Sequence, residues 1–243
     1  MLLVSGVTVI LSTWKRNYLE TQIQSVLNQS VTPDRIILYQ NESHQDFSDL
    51  VQKYSIEHIH SRTTNFRYHS RFTIPLYVES EYFAIFDDDT IPATGWLENC
   101  LRLSQQENCI VGANGRIVLN TINGIEYVTA GDGASITNDR EMDFVGHCWF
   151  VKRDHIFTMW KHKPFTYSTG EDIHLSASNK IENGTRSFVP MQPAGTDLCG
   201  DTRFDFCDDE LASFKILKNH NKDRDELIEN WLEAGWKTVG ANS

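Results

Sequence analysis

The chain has 243 residues, of which 40% are hydrophobic and 23% charged, and its formal net charge is −11. This length and composition are typical of one large globular domain, or of a domain with a small lobe. The negative charge argues against nonspecific nucleic-acid binding and against electrostatic docking on anionic membranes, because both need a basic surface.

No segment of the sequence resembles a signal peptide or a membrane span. The five cysteines are widely spaced and include no CxxC pair, a pattern typical of free thiols in a reducing compartment. We therefore expect a cytoplasmic protein with no integral membrane segment. The sequence leaves open whether the chain is whole or one module of a larger polypeptide.

The first half of the chain alternates predicted strands and helices, assigned from apolar runs and from apolar residues at helical spacing. The predicted strands are 7–11, 35–39, 57–60 and 82–86, and the predicted helices are 18–28, 46–54, 71–80 and 94–106. This alternation predicts an α/β fold with a mostly parallel, doubly wound central sheet flanked by helices. In such sheets ligands bind at the carboxyl ends of the strands.

The second half is less regular. We expect two extended pieces around a glycine turn at 110–119, a loop excursion at 124–143, strands at 143–151 and 185–189, and helices at 153–162, 171–180, 211–217 and 226–236. A loop rich in glycine, proline and aspartate is predicted at 190–207, and loops of that length are usually functional.

Three consecutive carboxylates, Asp87, Asp88 and Asp89, follow the predicted strand 82–86. Carboxylates beside a core strand are unfavourable unless a cation neutralises them. Mg²⁺ or Mn²⁺ carrying a nucleotide diphosphate fits, because these ions take one or two carboxylates together with phosphate oxygens. An acidic turn that caps the next helix is the alternative, but a cap does not require three carboxylates. Alternation along an extended chain would direct Asp87 and Asp89 to one side and Asp88 to the other.

A second acidic pair, Glu171 and Asp172, stands at a predicted helix start after Gly170. The pair could simply favour the helix dipole. Because adjacent helical residues point about 100° apart, one carboxylate can instead cap the helix while the other faces a cleft. A carboxylate beside an acceptor hydroxyl is able to act as a general base.

The segment that contains Thr13 and Arg16 is either a helix cap followed by solvated charges or a contact to a base and a phosphate. The sequence contains neither a G-x-G-x-x-G fingerprint nor a G-x-x-x-x-G-K-[ST] loop. Arg71, ahead of the acidic triplet, is able to pair with a pyrophosphate or with an aspartate. We interpret His147 as a core histidine rather than a metal ligand.

Taken together, these landmarks resemble nucleotide-sugar glycosyltransferases of the GT-A class over roughly residues 4–190. The resemblance is carried by four segments: 12–16 (S-T-W-K-R), the second strand at 31–41, 86–90 (F-D-D-D-T) as the DxD motif, and 170–175 (G-E-D-I-H-L) as the late acidic motif.

Two subgroups of this class are similar to the chain. The G-E-D motif resembles that of the large inverting family, family 2. The spacing from Asn65 and Arg71 through the aspartates to Glu171 and Asp172 resembles exostosin-like, retaining hexosaminyltransferase domains, which we favour slightly. The QxxRW-type element of the inverting family is not found, and Arg203 is the candidate for the C-terminal arginine of the exostosin-like domains.

The resemblance implies a single GT-A domain over 1–243, with a nucleotide-sugar-binding half at 1–106, an acceptor-side half at 107–206 and C-terminal helices at 207–243. It implies metal-dependent transfer of a sugar from a UDP-sugar to a hydroxyl of a glycan or other acceptor. Asp89 would ligate Mn²⁺ (or Mg²⁺), and Asp172 and Glu171 would be catalytic. The implied nucleotide-sugar-binding residues are Thr13, Arg16, Asn41, Asn65, Arg71, Asp87, Asp88 and Arg203.

If the enzyme inverts, Asp172 would deprotonate the acceptor, and if it retains, Asp172 would orient the acceptor or stabilise positive charge. Two other functions are considered. A nucleotidyltransferase would normally carry a glycine-rich, basic loop after its first strand, which this sequence lacks. An inactive GT-A module that binds only a sugar or nucleotide is disfavoured by the intact acidic triplet and the Glu171-Asp172 pair.

Overall fold

A computed structural model describes residues 6–122, 124–131, 135–203 and 210–242. The strands are β1 (Val7–Thr13), β2 (Arg35–Asn41), β3 (Glu57–Ser61), β4 (Tyr82–Phe86), β5 (Ile110–Thr121), β6 (Gly124–Ala130), β7 (Arg140–Met142), β8 (Phe144–Lys152) and β9 (Ser187–Val189). The helices are α1 (Leu19–Leu27), α2 (Ser48–Tyr54), α3 (Trp96–Glu107), α4 (Arg153–Met159), α5 (Glu171–Asn183), α6 (Ser213–Ile216) and α7 (His220–Glu233), with 3-10 helices at Tyr68–Leu76 and Val239–Asn242.

Among the described residues the strands form one mixed sheet in the order β3-β2-β1-β4-β8-β5-β9-β7, with β6 paired to β5. β3, β2, β1 and β4 run parallel to one another, and β8 is antiparallel to both β4 and β5. The expected α/β fold, with helices packed on a central sheet, is confirmed. The chain passes from β1 to β2 on one side and reaches β4 on the other, which creates a topological switch point between β1 and β4.

Apolar side chains cover both faces of the parallel strands, which explains their nearly continuous hydrophobic sequences. Val9 and Leu11 of β1 belong to a buried cluster with residues of α1 and α3. Ile10 lies on the opposite face, in a cluster with Phe72 of the first 3-10 helix and Ile156 of α4. This alternation fixes the face of the sheet to which each side chain of β1 and β4 points. It therefore also fixes the positions of the polar residues that follow these strands.

Residues 110–119, predicted as two pieces around a glycine turn, form the single strand β5. The glycines serve close packing instead of a turn. A Cβ at Gly112 would lie 2.6 Å from Cβ of Val145, and a Cβ at Gly115 would lie 2.7 Å from Cγ of Met142. The register of β5 with β8 shifts just after Gly112, so the strand bends without breaking.

The segment 124–143, predicted as a loop excursion, contains β6 and β7. β6 pairs with β5 along its whole length, from Gly124 opposite Thr121 to Ala130 opposite Gly115. Most of β6 is exposed and lacks apolar alternation, so its pairing with β5 determines the strand and its own sequence does not indicate it.

One further segment differs from the sequence prediction, and another agrees with it. The helix predicted at 71–80 is the 3-10 helix Tyr68–Leu76, which contains Pro75, a residue that cannot donate to an α-helical ladder. The described part of the loop predicted at 190–207 contains no helix or strand apart from a bridge at Gln192, and positions 204–207 lie outside the described residues.

The C-terminal helix α7 packs on α5. Leu227, Ile228 and Trp231 of α7 form a third buried cluster with Ile173 and Ala177 of α5. This packing places the start of α7 beside the second acidic motif. Neither α7 nor any other described helix has the length and apolar character needed to cross a membrane.

Candidate active site

A cavity of about 710 Å³ opens at the carboxyl ends of β1, β2 and β4. It lies at the switch point between β1 and β4, where open α/β sheets bind ligands. The structure brings ten of the residues predicted from the sequence onto the cavity wall: Thr13, Arg16, Asn41, Asn65, Arg71, Asp87, Asp88, Asp89, Glu171 and Asp172.

Arg203 is the predicted residue that the described cavity wall does not include. Its Nη1 donates to the backbone carbonyl of Asp89 at 2.9 Å, and its guanidinium lies 4.0 Å from the centroid of the Tyr18 ring. The structure therefore places Arg203 against the backbone of the acidic triplet.

The acidic triplet divides between two environments. Asp87 and Asp89 each direct one oxygen into a cluster of candidate metal ligands whose atoms lie within 4.8 Å of one another. Asp88 instead accepts hydrogen bonds from the backbone N–H of Trp14 at 3.0 Å and from Nη1 of Arg16 at 2.6 Å. This is the division that alternation along the chain predicts.

His147 is the third member of this candidate cluster, although the sequence favoured a core histidine at this position. It has a φ of +75° within β8, and its carbonyl accepts hydrogen bonds from the Thr90 hydroxyl at 3.1 Å and the Asp87 N–H at 3.4 Å. Its Nε2 lies 3.2 Å from Oδ2 of the buried Asp201. A left-handed residue inside a strand is uncommon, and the apolar strand pattern around His147 gives no signal of it.

Two carboxylates and one imidazole form a donor set that fits a divalent metal ion. Carboxylate oxygens suit both Mg²⁺ and Mn²⁺, whereas an imidazole nitrogen is more typical of softer divalent ions. The carboxylate of Asp201 behind His147 supplies the outer contact that metal-binding histidines usually have. The structure thus places Asp87 and His147, as further candidate ligands, beside Asp89, which was the ligand predicted from the sequence.

Arg71 connects the two acidic motifs. Its Nη1 forms an ion pair with Oδ1 of Asp87, and its Nη2 donates to Oε1 of Glu171 at 3.0 Å. Its guanidinium also lies 4.9 Å from the centroid of the Trp149 ring. Burial raises the pKa of Glu171, and the charge of Arg71 opposes that rise. Arg71 therefore holds Glu171 and the acidic triplet in a fixed relation.

Arg16 has the same function for the other two aspartates. Its Nη1 lies 2.6 Å from Oδ1 of Asp88 and 3.2 Å from Oδ2 of Asp89. Burial raises the pKa of Asp88 to about 6, Arg16 limits the rise, and Asp89 adds to it. The pair of adjacent buried carboxylates is thus only partly neutralised by Arg16, which favours a further cation at this wall.

Arg224, at the start of α7, was not predicted from the sequence. Its Nη1 and Nη2 donate to Oδ1 and Oδ2 of Asp172 at 2.9 and 2.8 Å. Burial alone would raise the pKa of Asp172, but Arg224 outweighs burial and the pKa is lowered. Burial would lower the pKa of Arg224, but the negative charge of Asp172 outweighs burial, so the pKa of Arg224 is raised. Only proximity in the folded chain relates these two residues, which are 52 positions apart.

Gly170 explains how α7 reaches the acidic motif. Its φ is +79°, and a Cβ there would lie 2.2 Å from Cδ2 of Leu227. Glycine is therefore favoured both by the backbone conformation and by the closeness of α7. Because Arg224 lies about one helical turn before Leu227, this packing also brings Arg224 to Asp172.

Asn41 and Asn65 shape the wall at the end of β2. Nδ2 of Asn41 donates to Oδ1 of Asn65 at 3.0 Å, and Oδ1 of Asn41 accepts from the Phe66 N–H at 2.9 Å. Oδ1 of Asn65 also accepts from the Arg67 N–H at 2.7 Å. These bonds hold the 65–67 turn against β2, where the resemblance implies two of the nucleotide-sugar-binding residues.

The end of β1 offers hydroxyl groups to the cavity. Thr13 is 2% exposed, and its hydroxyl, like that of Ser12, has no hydrogen-bond partner within the described part of the chain. Buried hydroxyls without partners are uncommon in proteins, and a bound polar ligand would satisfy them.

The family model for glycosyl transferase family 2, a description of that family's sequences, matches residues 8–160, which is more than half of the chain. A comparison with curated proteins found no match. The matched range contains the acidic triplet, Arg71 and His147, whereas Glu171, Asp172 and α7 lie beyond it. The match favours the inverting family over the exostosin-like pattern that we preferred slightly from the sequence. The chain therefore belongs to glycosyl transferase family 2, a GT-A class family of enzymes that transfer glycosyl groups.

Proposed function

We propose that this protein transfers a sugar from a UDP-sugar to a hydroxyl group of a glycan or other acceptor, with Mn²⁺ or Mg²⁺ as its cofactor. The observation that carries the proposal is the convergence of Asp87, Asp89 and His147 within 4.8 Å. These residues lie on the wall of the same cavity as Asp172. A metal-ligand set and a candidate base thus face one space of about 710 Å³, which is large enough for a substrate.

Asp87, Asp89 and His147 would hold the metal ion, through two carboxylates that suit Mn²⁺ and Mg²⁺ alike and one imidazole. The ion would supply positive charge that stabilises the diphosphate of the leaving UDP. Arg16 and Arg71 would add positive charge to the same wall, since both already lie against the acidic triplet. Preorganised charges of this kind usually make the largest contribution to transition-state stabilisation.

Asp172 is the proposed general base. Its lowered pKa keeps the carboxylate ionised at neutral pH, and each oxygen held by Arg224 retains a second lone pair. Asp172 would take the proton of the acceptor hydroxyl as that oxygen bonds to the anomeric carbon and the bond to UDP breaks. A Cβ at Gly146 would lie 3.7 Å from Oδ2 of Asp172, so glycine leaves room for a substrate beside the base.

Glu171 is proposed as a positioning residue because its carboxylate is buried and bonded to Arg71. Family 2 is the inverting subgroup that the sequence resembles, so we expect inversion at the anomeric carbon. NMR analysis of the product anomer tests this point. A product with the anomeric configuration of the donor would contradict inversion and the role of Asp172 as general base.

The experiment that tests the whole proposal is calorimetric titration of UDP with and without Mn²⁺. We expect metal-dependent UDP binding in the native protein and in the Asp154→Asn control, whose exposed residue lies outside the described cavity wall. Asp89→Asn should abolish the metal dependence. Metal-independent binding, or unchanged binding in Asp89→Asn, would overturn the proposal.

Two other functions predict different results. A nucleotidyltransferase should prefer a nucleoside triphosphate to UDP in the same titration. An inactive binding module should bind UDP and metal but show no turnover in a screen of UDP-sugars. Hydrolysis of one UDP-sugar that is lost in Asp172→Asn would exclude both.

A further inference from the structure

A second cavity, of about 570 Å³, lies beside the segment 65–71. Tyr39 lines both cavities, and neighbours along the chain line different ones: Asn65 and Tyr68 line the active site, whereas Phe66 and His69 line the second cavity. The second cavity is therefore separated from the active site by the thickness of this segment. Among the described residues, Tyr39 is the one that lines both cavities. No described residue assigned a function above lines the second cavity.

The lining of the second cavity is mainly apolar. Its exposed edge carries the aromatic rings of Phe66, Tyr77 and Tyr167, and its buried part includes Ile74 and Val78. The described lining residues include no aspartate, glutamate, lysine or arginine. Such a lining provides no countercharge, so it disfavours a charged ligand.

Among the described residues, this lining leaves ring nitrogens unsatisfied on two histidines, His60 and the more deeply buried His69. His69 is 3% exposed, and neither of its ring nitrogens has a hydrogen-bond partner among the residues that the structure describes. Burial lowers the pKa of His69 to about 3, so the ring is neutral at pH 7 and offers one donor and one acceptor. Its ring lies 5.5 Å from that of Tyr167 and 6.5 Å from that of Trp160, between centroids.

The hydroxyl groups of Ser70 and Thr73 in the lining are already engaged. The Ser70 hydroxyl donates to the Arg67 carbonyl at 2.7 Å, and the Thr73 hydroxyl donates to the Ser70 carbonyl at 2.7 Å. Away from the exposed rings, the described lining offers a sugar the unsatisfied nitrogens of His69 and His60 as partners, and each sugar hydroxyl left unpaired there would be unfavourable. The lining instead suits an apolar body with few hydrogen-bonding groups.

We propose that this second cavity binds an uncharged aromatic molecule that carries a hydroxyl group, with the hydroxyl bonded to His69 and the ring among Phe66, Tyr77 and Tyr167. Aromatic rings pack favourably edge-to-face and offset, which the exposed rings at the cavity edge allow. The volume is within the range of small-molecule sites. This site is independent of the proposed sugar transfer.

Ligand-observed NMR and tryptophan fluorescence with three matched probes test the proposal. The probes are 2-naphthol, naphthalene, which lacks the hydroxyl, and 2-naphthoate, which is charged at pH 7. We expect saturable binding of 2-naphthol that excess UDP with Mn²⁺ does not displace. Naphthalene should bind about tenfold more weakly, the usual effect of one hydrogen bond to a buried partner, and 2-naphthoate more weakly still.

Two variants separate the hydrogen bond from the apolar contact. His69→Phe should weaken 2-naphthol about tenfold and leave naphthalene unaffected or tighter. Tyr77→Ala should weaken both, and because Tyr77 is 85% exposed this change should not disturb folding. Phe157→Ala, which removes an exposed aromatic ring outside the described lining of both cavities, is the control and should change neither.

Three results would overturn the proposal. They are the absence of saturable 2-naphthol binding, equal binding of naphthalene and 2-naphthol by the native protein, and binding that both His69→Phe and Tyr77→Ala leave unchanged. Displacement of 2-naphthol by UDP with Mn²⁺ would place the probe in the active site instead, and would equally refute a separate site.

Discussion

Arg224 holds Asp172 through two parallel hydrogen bonds, of 2.9 and 2.8 Å, between its terminal nitrogens and the two carboxylate oxygens. Both side chains are largely buried. Bidentate pairs of this kind are strong and fix the orientation of both groups. The contact makes the C-terminal helix part of the cavity wall, and it sets the charge state of the proposed base.

The first prediction concerns the pH dependence of activity. In Arg224→Gln burial acts on Asp172 without an opposing charge, so the pKa of Asp172 should rise. Activity that needs ionised Asp172 should then be lost at a higher pH than in the native enzyme. The measurement is kcat/KM against pH, with Arg224→Lys expected to lie between the two. An acid limb that does not move in Arg224→Gln would show that Asp172 is not the base.

The same pair yields a prediction about stability. Removing one partner of a buried ion pair typically costs ~3–5 kcal/mol, because a charge is left buried and unpaired. Arg224→Gln should therefore lower the free energy of unfolding by about that amount. Combining it with Asp172→Asn should restore most of the loss in urea denaturation. A double variant as unstable as the single one would mean that Arg224 stabilises the fold through packing rather than charge.

Gly170 and Gly184, at the two ends of α5, provide a matched test of close packing. Both have positive φ, +79° and +66°, but a Cβ at Gly184 would meet nothing within 4 Å. Gly184→Ala should lose ~1 kcal/mol of stability from backbone conformation alone. Gly170→Ala should lose a further ~1–3 kcal/mol from the clash with Leu227. Equal losses in urea denaturation would contradict the close approach of α7.

A change at Asp201 tests metal affinity without altering any of the three candidate ligands. Asp201→Asn keeps the oxygen that accepts from the N–H groups of Ile91 and Arg203 but weakens the contact with His147. We expect Mn²⁺ affinity, measured by electron paramagnetic resonance, to fall about 10–100-fold. Asp139→Asn, a change at a partly buried aspartate paired with Arg102 outside the described cavity wall, is the control. Unchanged affinity in Asp201→Asn would remove His147 from the metal site.

Much of this site could be predicted because it follows from the parallel strands. The predicted strand 82–86 coincides with β4, and burial on both faces gives such strands a strong sequence signal. The residues after β1 and β4 meet because parallel strands at a switch point present their carboxyl ends to one space. That rule alone brings Thr13 and Arg16 to the acidic triplet.

The residues that sequence reasoning missed depend on contacts between distant segments. His147 joins the candidate metal-ligand cluster through a left-handed backbone conformation inside an apolar strand. Arg224 reaches Asp172 through the packing of Leu227 on Gly170. β6 has no apolar pattern of its own and forms on β5. In each case tertiary contacts decide, and no periodicity in the sequence reports them.

The last prediction concerns acid stability. Burial lowers the pKa of His174 and His155 to about 4 and that of His69 to about 3, from an ordinary value of 6.5. Between about pH 6.5 and pH 4 the unfolded chain therefore binds more protons at these positions than the folded chain, so stability should rise with pH across that window and level off above it. Each such histidine adds at most ~1.4 kcal/mol per pH unit to the slope.

His174→Gln isolates one of these contributions. The side chain is fully buried, and its Nε2 lies 3.1 Å from the Met159 carbonyl. Glutamine retains an N–H donor for that carbonyl but cannot take up a proton in this range. The free energy of unfolding, measured in urea at pH 7 and pH 5, should therefore fall less steeply on acidification in His174→Gln than in the native protein. The comparison uses the change between the two pH values, so any constant loss from the substitution cancels. An equal change in both proteins would mean that His174 titrates alike in the folded and unfolded chains.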